Sequence, residues 1–170
     1  MHYFALLVAL LVTTASAFGA SFDAPKRKSG LWEIKISDAA AKGGHAMQQC
    51  IDEKSDELMK GDIQGMEKSS CSKTDMSREG DKIISESVCK VSGSTAKTRA
   101  VFTGRFDSAY QADIKSTYEP PLHGMRESST TIDAKWLGAC KAGQKPGDIS
   151  MPGMPNINMN EMMKEMGKKP

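Results

Sequence analysis

The sequence predicts a mainly β fold: an antiparallel meander of about seven strands forming a small curved barrel or half-barrel, with one short helix and a Met-rich C-terminal tail. Three observations favour this class. Apolar and polar residues alternate with period two in several runs. The runs follow one another at hairpin spacing with no long helical pattern between them, which is typical of antiparallel pairing. A sheet of this size with one apolar face must curl on itself or be covered.

The N-terminal residues have the pattern of a secretory signal peptide. An apolar run from Phe4 to Val12 is followed by small residues ending at Ala17. The run is shorter than the ~20 residues that span a bilayer, so we expect no stable membrane anchor. We expect cleavage after Ala17, a signal peptide at 1–17 and a periplasmic mature protein. Residues 18–29, where Arg27 lies between two lysines, predict a solvated leader into the domain.

Charge and length limit the classes of partner and the number of domains. The chain has 23 Lys and Arg residues against 21 Asp and Glu residues and no long basic run, so we expect no nucleic-acid partner. Removal of the signal peptide leaves the length of one ordinary domain. We assign a disulfide-stapled β domain to 30–142 and a Gly/Pro/Met-rich tail to 143–170. The oligomeric state is left open.

The four cysteines predict two disulfides, because an even number in an exported chain is typical of paired thiols. A tight hairpin with the loop 79–81 would place Cys71 directly opposite Cys89, close enough to bond. Cys50 then pairs with Cys140 as an enclosing bridge. The alternative is a four-thiolate zinc site, but such sites usually bring their ligands in close sequence pairs, which this spacing lacks.

The strands are assigned from their alternation and from the turn residues between them. Asp52 is placed to cap a short helix that ends at Lys60. Pro120 and Pro121 are expected to end the strand before them. Many strand positions are Ser, Thr or Ala, so we expect a lightly packed or partly polar interior. The predicted strands are 30–36, 46–51, the two arms between Cys71 and Cys89, 94–103, 110–118 and 125–136.

A set of aromatic side chains shares the face that the alternation turns inward. Such a set usually forms a core, but in a curved sheet with small neighbours it can also line an apolar cavity. Our leading interpretation is therefore a non-enzymatic binding module for a small apolar ligand or lipid, with no cofactor. The residues of this cavity are Trp32, Phe102, Tyr110, Tyr118 and Trp136.

Methionines in the tail give a second interpretation. Repeated Met-x-x-Met spacing supplies soft thioether ligands that suit Cu(I), so the tail could bind or sense copper. Four of these residues recur on one face of a short helix, with Asn158 as its cap and Gly167 as its end. That face could instead dock on the open end of the sheet or rest on a membrane surface. The candidate copper ligands are Met151, Met154, Met159, Met162, Met163 and Met166.

Catalytic motifs are absent from the sequence, so we do not expect an enzyme and name no catalytic residue. His45 and His123 fall in predicted loops, where both catalytic and solvent-exposed histidines occur. A catalytic group assembled from distant positions would leave no local motif. A structural or interaction protein of the cell envelope is the third interpretation, with an envelope protein as its partner.

Several short motifs occur in a fixed order along most of the mature chain. They are Gly30-Leu31-Trp32-Glu33, Cys50-Ile51-Asp52, Cys71-Ser72-Lys73, Ser87-Val88-Cys89-Lys90, Phe102-Thr103-Gly104, Phe106-Asp107-Ser108-Ala109-Tyr110, Ala134-Lys135-Trp136-Leu137-Gly138 with Cys140, and Lys145-Pro146-Gly147-Asp148. This order resembles the secreted proteobacterial proteins grouped as domain of unknown function 3617. The resemblance implies a periplasmic, uncharacterised, mainly β domain, and it supplies no catalytic residues.

Overall fold

A computed structural model describes residues 22, 24–39, 44–53, 56 and 70–166, without the side chains at 163, 164 and 166. The predicted signal peptide at 1–17, most of the helix expected between Asp52 and Lys60, and the helix end at Gly167 lie outside these residues. The elements are β1 (Gly30–Asp38), β2 (Gly44–Ile51), β3 (Cys71–Glu79), β4 (Lys82–Val91), β5 (Ser94–Arg105), β6 (Ala109–Leu122), β7 (Met125–Gly138), β8 (Asp148–Ser150), β9 (Ile157–Asn158) and α1 (Met159–Met166).

The strands form one antiparallel sheet in the order β3-β4-β5-β6-β7-β1-β2-β8-β9. β3 to β7 form a continuous meander, and β1 then pairs with β7 as it would in a closed barrel. The sheet nevertheless stays open, because β2 and β3 are not neighbours. The mainly β prediction is confirmed, and of the two predicted shapes the half-barrel is the one observed.

The junction of β1 and β7 requires a glycine at Gly30. Its φ of 138° lies in the region that L side chains rarely adopt. A Cβ atom at this position would lie 2.2 Å from the Gly138 carbonyl oxygen and 2.5 Å from Trp136 Nε1. Leu31 pairs with Gly138 on one side and with Cys50 on the other. The Gly30 motif and the Trp136 motif, far apart in sequence, therefore meet at this junction.

The hairpin of β3 and β4 has the predicted disulfide but not the predicted loop. Cys71 and Cys89 pair and are bonded. The turn contains two residues, Gly80 and Asp81, so the predicted three-residue loop is wrong. This shorter turn would put the cysteines out of line by one residue. A β-bulge at Ser72 restores the alignment by adding the missing residue on one strand.

The second disulfide joins Cys50, on β2, to Cys140, just beyond β7. It crosses the start of β1, which lies between those two strands in the sheet. The two bridges use all four cysteines, so the alternative of a four-thiolate zinc site is excluded.

The segment after Cys140 extends the sheet, which the sequence pattern did not indicate. β8 pairs with β2 at Gln48 and Gln49, and β9 pairs with β8. The helix expected in the tail is confirmed as α1, where the Glu161 amide donates to Asn158 Oδ1 at 2.9 Å, as the predicted cap requires. No helix in the described ranges is long and apolar enough to cross a bilayer.

The face of the sheet that carries the core is here called the inner face, and the other the outer face. The predicted alternation of β1, β5 and β6 is confirmed by the burial of the even-numbered residues of these strands. β6 differs in length, since it continues through Pro120 and Pro121 to Leu122 with an irregular register after Thr117. The core residues are Trp32, Ile34, Ile51, Ile83, Ala100, Phe102, Tyr110, Ala112 and Ala134.

Replacing Cys50 and Cys140 with serine should destabilise the protein more than replacing Cys71 and Cys89. The bridges close sequence separations of 90 and 18 residues, and a longer closed loop restricts the unfolded chain more. Chain-entropy estimates are about 4 to 5 kcal/mol for the long loop and about 3 kcal/mol for the short one. Urea unfolding of the two double variants measures both losses. A larger loss for the short loop would contradict this order.

Candidate functional site

Aromatic rings fill one end of the inner face. The Trp32 side chain is fully buried, and its ring centroid lies 5.7 Å from that of Tyr110. Phe106 stacks on Tyr110 at 4.8 Å and approaches Phe102 at 6.4 Å. We call these four residues the aromatic end. Contacts of this kind add to the stabilisation that apolar burial gives, so this end of the sheet is packed core.

Residues 27–29 contact the aromatic end. Within the leader predicted to be solvated, Arg27 is buried, whereas residues 26, 28 and 29 are exposed. The Lys28 amide donates to the Phe106 carbonyl at 2.9 Å. The indole of Trp32 donates to the Lys28 carbonyl at 2.8 Å, and that of Trp136 to the Ser29 carbonyl at 3.2 Å. The Lys28 ammonium lies 3.8 Å from the centroid of the Trp136 ring, a cation–π contact. These contacts hold the chain before β1 against the core.

Arg27 and Asp56 form a buried ion pair beside the aromatic end. The Arg27 side chain donates from Nη2 to Asp56 Oδ1 at 2.6 Å and from Nε to both carboxylate oxygens, and its amide donates to Oδ2 at 2.8 Å. The two side chains are 7% and 2% exposed. A buried pair is tolerated only when its charges and hydrogen-bonding groups are satisfied, which this geometry achieves.

The ion pair also acts on Tyr110. Burial is the largest influence and raises the pKa of the phenol. The charge of Arg27 and a hydrogen bond from it act in the opposite direction, and the Asp56 charge again favours the protonated phenol. Tyr110 is thus kept protonated within a network that joins the leader, the segment after β2, and β6.

The structure brings together only some of the aromatic residues predicted to line a cavity. Trp32, Phe102 and Tyr110 are buried in one cluster, and Trp136 packs against it partly exposed. Tyr118 lies towards the other end of the inner face, where its hydroxyl group is 3.0 Å from Ser128 Oγ. The prediction that these five residues line one cavity therefore stays a prediction.

Hydroxyl side chains form a continuous row across the other half of the inner face. Each pairs directly with the next on a neighbouring strand, from β3 to β7. Thr98 Oγ1 and Ser116 Oγ are 2.9 Å apart, and Ser116 is buried. We call this set the hydroxyl row. Its members are Thr74, Ser87, Thr98, Ser116 and Ser128.

A mixed row separates the hydroxyl row from the apolar core. Met76 and Ile114 in this row are partly buried and pack against the core cluster. Ala100 is itself part of the core. We call this set the middle row: Met76, Ser85, Ala100, Ile114 and Thr130. The inner face thus changes, row by row, from sealed aromatic packing through half-buried apolar side chains to hydroxyl groups.

The outer face carries two shallow open depressions on either side of Glu33, of about 460 and 330 Å³. Exposed charges of both signs line the larger one, including Lys35, Asp133 and Lys135. Methionine and proline from the tail join the smaller one. Tyr110 is the one member of the predicted aromatic set that lines either depression. Charged walls of this kind do not suit the apolar ligand that the sequence predicted.

The candidate copper ligands spread over the end of the sheet formed by the tail. Met154 is 59% exposed and Met162 is 40% exposed, while Met151 and Met159 are half-buried. The side chains of Met163 and Met166 are outside the described set. The Met154 amide donates a hydrogen bond to the Met151 carbonyl, which closes a turn between these two residues. Copper binding by the tail remains a prediction.

The sequence indicates one of two features of the candidate site and gives no sign of the other. The many Ser and Thr residues in the predicted strands indicated the side chains of the hydroxyl row, but the alignment of the row depends on the cross-strand register. The Arg27–Asp56 pair has no local signal, since Arg27 lies in a basic run typical of solvated segments and Asp56 in a predicted helix.

His45 is exposed in β2, and His123 adopts a left-handed φ of 49° in the β6–β7 turn.

Comparison with protein families matches residues 27–140 to the family described as "Protein of unknown function (DUF3617)". The match begins at the buried Arg27 and ends at Cys140, so it contains the aromatic end, the hydroxyl row and both disulfides. No curated protein and no solved structure matches significantly.

Breaking the buried ion pair should be strongly destabilising. Asp56→Ala leaves the Arg27 charge buried without its partner, for which we expect a loss of about 3 to 5 kcal/mol in the free energy of unfolding. The double variant Arg27→Met/Asp56→Leu should lose much less. Asp107→Ala is the matched control, because its 2.7 Å pair with Arg105 is exposed and should matter little. Urea unfolding of each variant measures the loss in unfolding free energy. Equal losses for Asp56→Ala and Asp107→Ala would contradict the burial of the Arg27–Asp56 pair.

Stability should fall at alkaline pH partly because of Tyr110. Its pKa is raised in the folded state, so the folded protein holds the phenolic proton more tightly than the unfolded chain does. The contribution is fully present below about pH 10, where an unfolded tyrosine ionises, and is lost as pH rises further. Tyr110→Phe should reduce the fall in unfolding free energy between about pH 9 and 11. An unchanged fall in this variant would refute the assignment.

Proposed function

The chain belongs to the DUF3617 family of proteins of unknown function, and we propose that it is a non-enzymatic binding module that holds one small apolar or lipid-like ligand on the inner face. The observation that carries the proposal is the change in side-chain type along the inner face, from the aromatic end to the hydroxyl row. Half-buried apolar side chains of the middle row lie between a sealed core and the hydroxyl row. A ligand with an alkyl chain would bury these side chains further.

The open sheet gives such a ligand a way in. The barrel-like curve ends at two edge strands, β3 and β9, which are not joined to each other. Within the part of the chain that the structure describes, a ligand can therefore approach the inner face without the sheet being opened. Each Å² of apolar surface removed from water contributes about 25 cal/mol, so a short alkyl chain laid along the middle row would supply useful affinity. Small β-barrels hold ligands in a comparable position.

The hydroxyl row supports binding rather than catalysis. A serine or threonine becomes a nucleophile when an adjacent base activates it. Within the described residues, the side-chain hydrogen bonds of Thr98, Ser116 and Ser128 join them to other hydroxyl groups. Hydroxyl pairs of this kind are suited to holding a polar group in place.

We place this function in the periplasm after cleavage of the signal peptide. The two disulfides support an oxidising compartment, since paired cysteines of this kind are rare in the cytosol. An apolar ligand in an aqueous compartment needs a protein surface that shields it from water. The proposed binding module provides one.

The test is saturable binding of the apolar dye N-phenyl-1-naphthylamine to the full-length mature protein, followed by fluorescence. Met76→Glu places a charge in the middle row and should weaken dye binding at least about tenfold, because the charge would have to be desolvated. Ser77→Glu is the matched control on the same strand, since Ser77 is exposed and lies on the outer face. It should leave the dye affinity unchanged.

Two results would reject the proposal. One is the absence of saturable dye binding by the unmodified protein. The other is an equal loss of affinity in Met76→Glu and Ser77→Glu, which would move the binding surface away from the inner face. Circular dichroism of both variants shows whether the sheet is retained.

A further inference from the structure

From β3 to β6 the hydroxyl row lies among described inner-face residues that carry no charge. On the core side it is bordered by the middle row. On the other side it is bordered by the Cys71–Cys89 bridge, Ala96 and Tyr118. From β3 to β6 these three rows contain only hydroxyl, thioether, disulfide, aromatic and aliphatic groups. On β7 the middle row and the hydroxyl row contain Thr130 and Ser128.

Among the described residues, the charged side chains nearest to these rows lie at their borders. Arg78, at the exposed edge of β3, lies in the next row towards the core. Asp38 extends the middle row on β1. Arg126, two residues before Ser128 on β7, has the parity of the inner face and is exposed near the β6–β7 turn. Arg78 and Arg126 are therefore at the margins of the three rows, and no positive side chain among the described residues lies beside the Thr98–Ser116 pair on the inner face.

Hydroxyl groups and anion sites recognise different partners. A hydroxyl side chain can donate one hydrogen bond and accept two, and it rotates to suit its partner. The bond between Thr98 and Ser116 uses only part of this capacity. A neutral group such as an alcohol, ester or amide can use the remainder. A carboxylate or phosphate taken from water needs a cation or several N–H donors to offset its lost hydration.

We propose, building on the binding function above, that the ligand is a neutral single-chain amphiphile whose uncharged polar end bonds to the hydroxyl row. Its alkyl chain lies on the middle row and points towards the aromatic end. The chemical class is an acyl chain carrying an alcohol, glycerol ester or amide. Fatty acids and anionic phospholipids are disfavoured because their charge would face the neutral rows.

The experiment compares two ligands that share a chain and differ in their polar end. Monolaurin and laurate both carry a twelve-carbon acyl chain, and laurate is ionised at neutral pH. Each is titrated below its aggregation concentration into the dye-loaded full-length mature protein, and displacement is followed. We expect the apparent affinity of monolaurin to be at least about tenfold higher than that of laurate. The reason is that burying an unbalanced charge costs at least about 1.4 kcal/mol, which corresponds to a factor of ten in affinity.

Two threonine variants locate the polar end. Thr98→Val removes a hydroxyl group of the hydroxyl row while keeping the shape of the side chain. Monolaurin affinity should fall about fivefold, in the range of one net hydrogen bond, which is a larger loss than that of the dye affinity. Thr117→Val is the control, because Thr117 is exposed on the outer face of the neighbouring strand. It should change neither affinity. Ser128→Ala gives a second reading if Thr98→Val lowers the stability of the fold.

The outcomes separate this inference from the proposed function. If laurate binds as tightly as monolaurin, or if Thr98→Val and Ser128→Ala both leave monolaurin affinity intact, the neutral-ligand inference is overturned and the binding module stands. If neither lipid nor dye binds, the binding module itself is rejected. If monolaurin binds preferentially but Thr117→Val weakens it as much as Thr98→Val, the hydroxyl row is not where the polar end is held.

Discussion

The antiparallel pairing of β1 with β7 is the interaction on which the rest of the structure depends. It turns a five-stranded meander into a curved sheet that also includes the first two strands. The close approach of Gly30 to Gly138 permits this pairing, and the Cys50–Cys140 bridge fixes it. Because β1 is held there, residues 27–29 reach the aromatic end and the tail can return along β2.

The same arrangement explains why the two ends of the inner face differ. At the aromatic end the indoles of Trp32 and Trp136 donate hydrogen bonds to the chain before β1. The buried ion pair of Arg27 and Asp56 lies beside them. At the other end the strands carry Ser and Thr at inward positions, and the sheet has no second layer among the described residues to cover them. Buried packing is therefore concentrated in one half of the inner face, and the other half is where we propose that the ligand lies.

The sequence predicted the repeating parts of the fold and missed the parts that depend on distant contacts. Period-two alternation was enough to find β1 to β7 and to assign Tyr110 and Ala112 to the inner face. The Cys71–Cys89 pair was found with the wrong loop, because a bulge at Ser72 has no clear sequence signal. β8 and β9 were missed, since strands of two or three residues in a Pro- and Gly-rich segment gain their order from the partner strand. The candidate site was predicted only in part: the inward face of the strands was found, but the hydroxyl row depends on the register.

The central claim is that the ligand lies on the inner face, between the hydroxyl row and the core. The most direct measurement is methyl NMR of the mature protein during titration with monolaurin. We expect shifts and ligand contacts for the methyl groups of Ile114 and Met76, and none for Val101, which lies on the outer face, or for the exposed Leu137. Contacts confined to Val101 and Leu137, with Ile114 and Met76 unmoved, would contradict it.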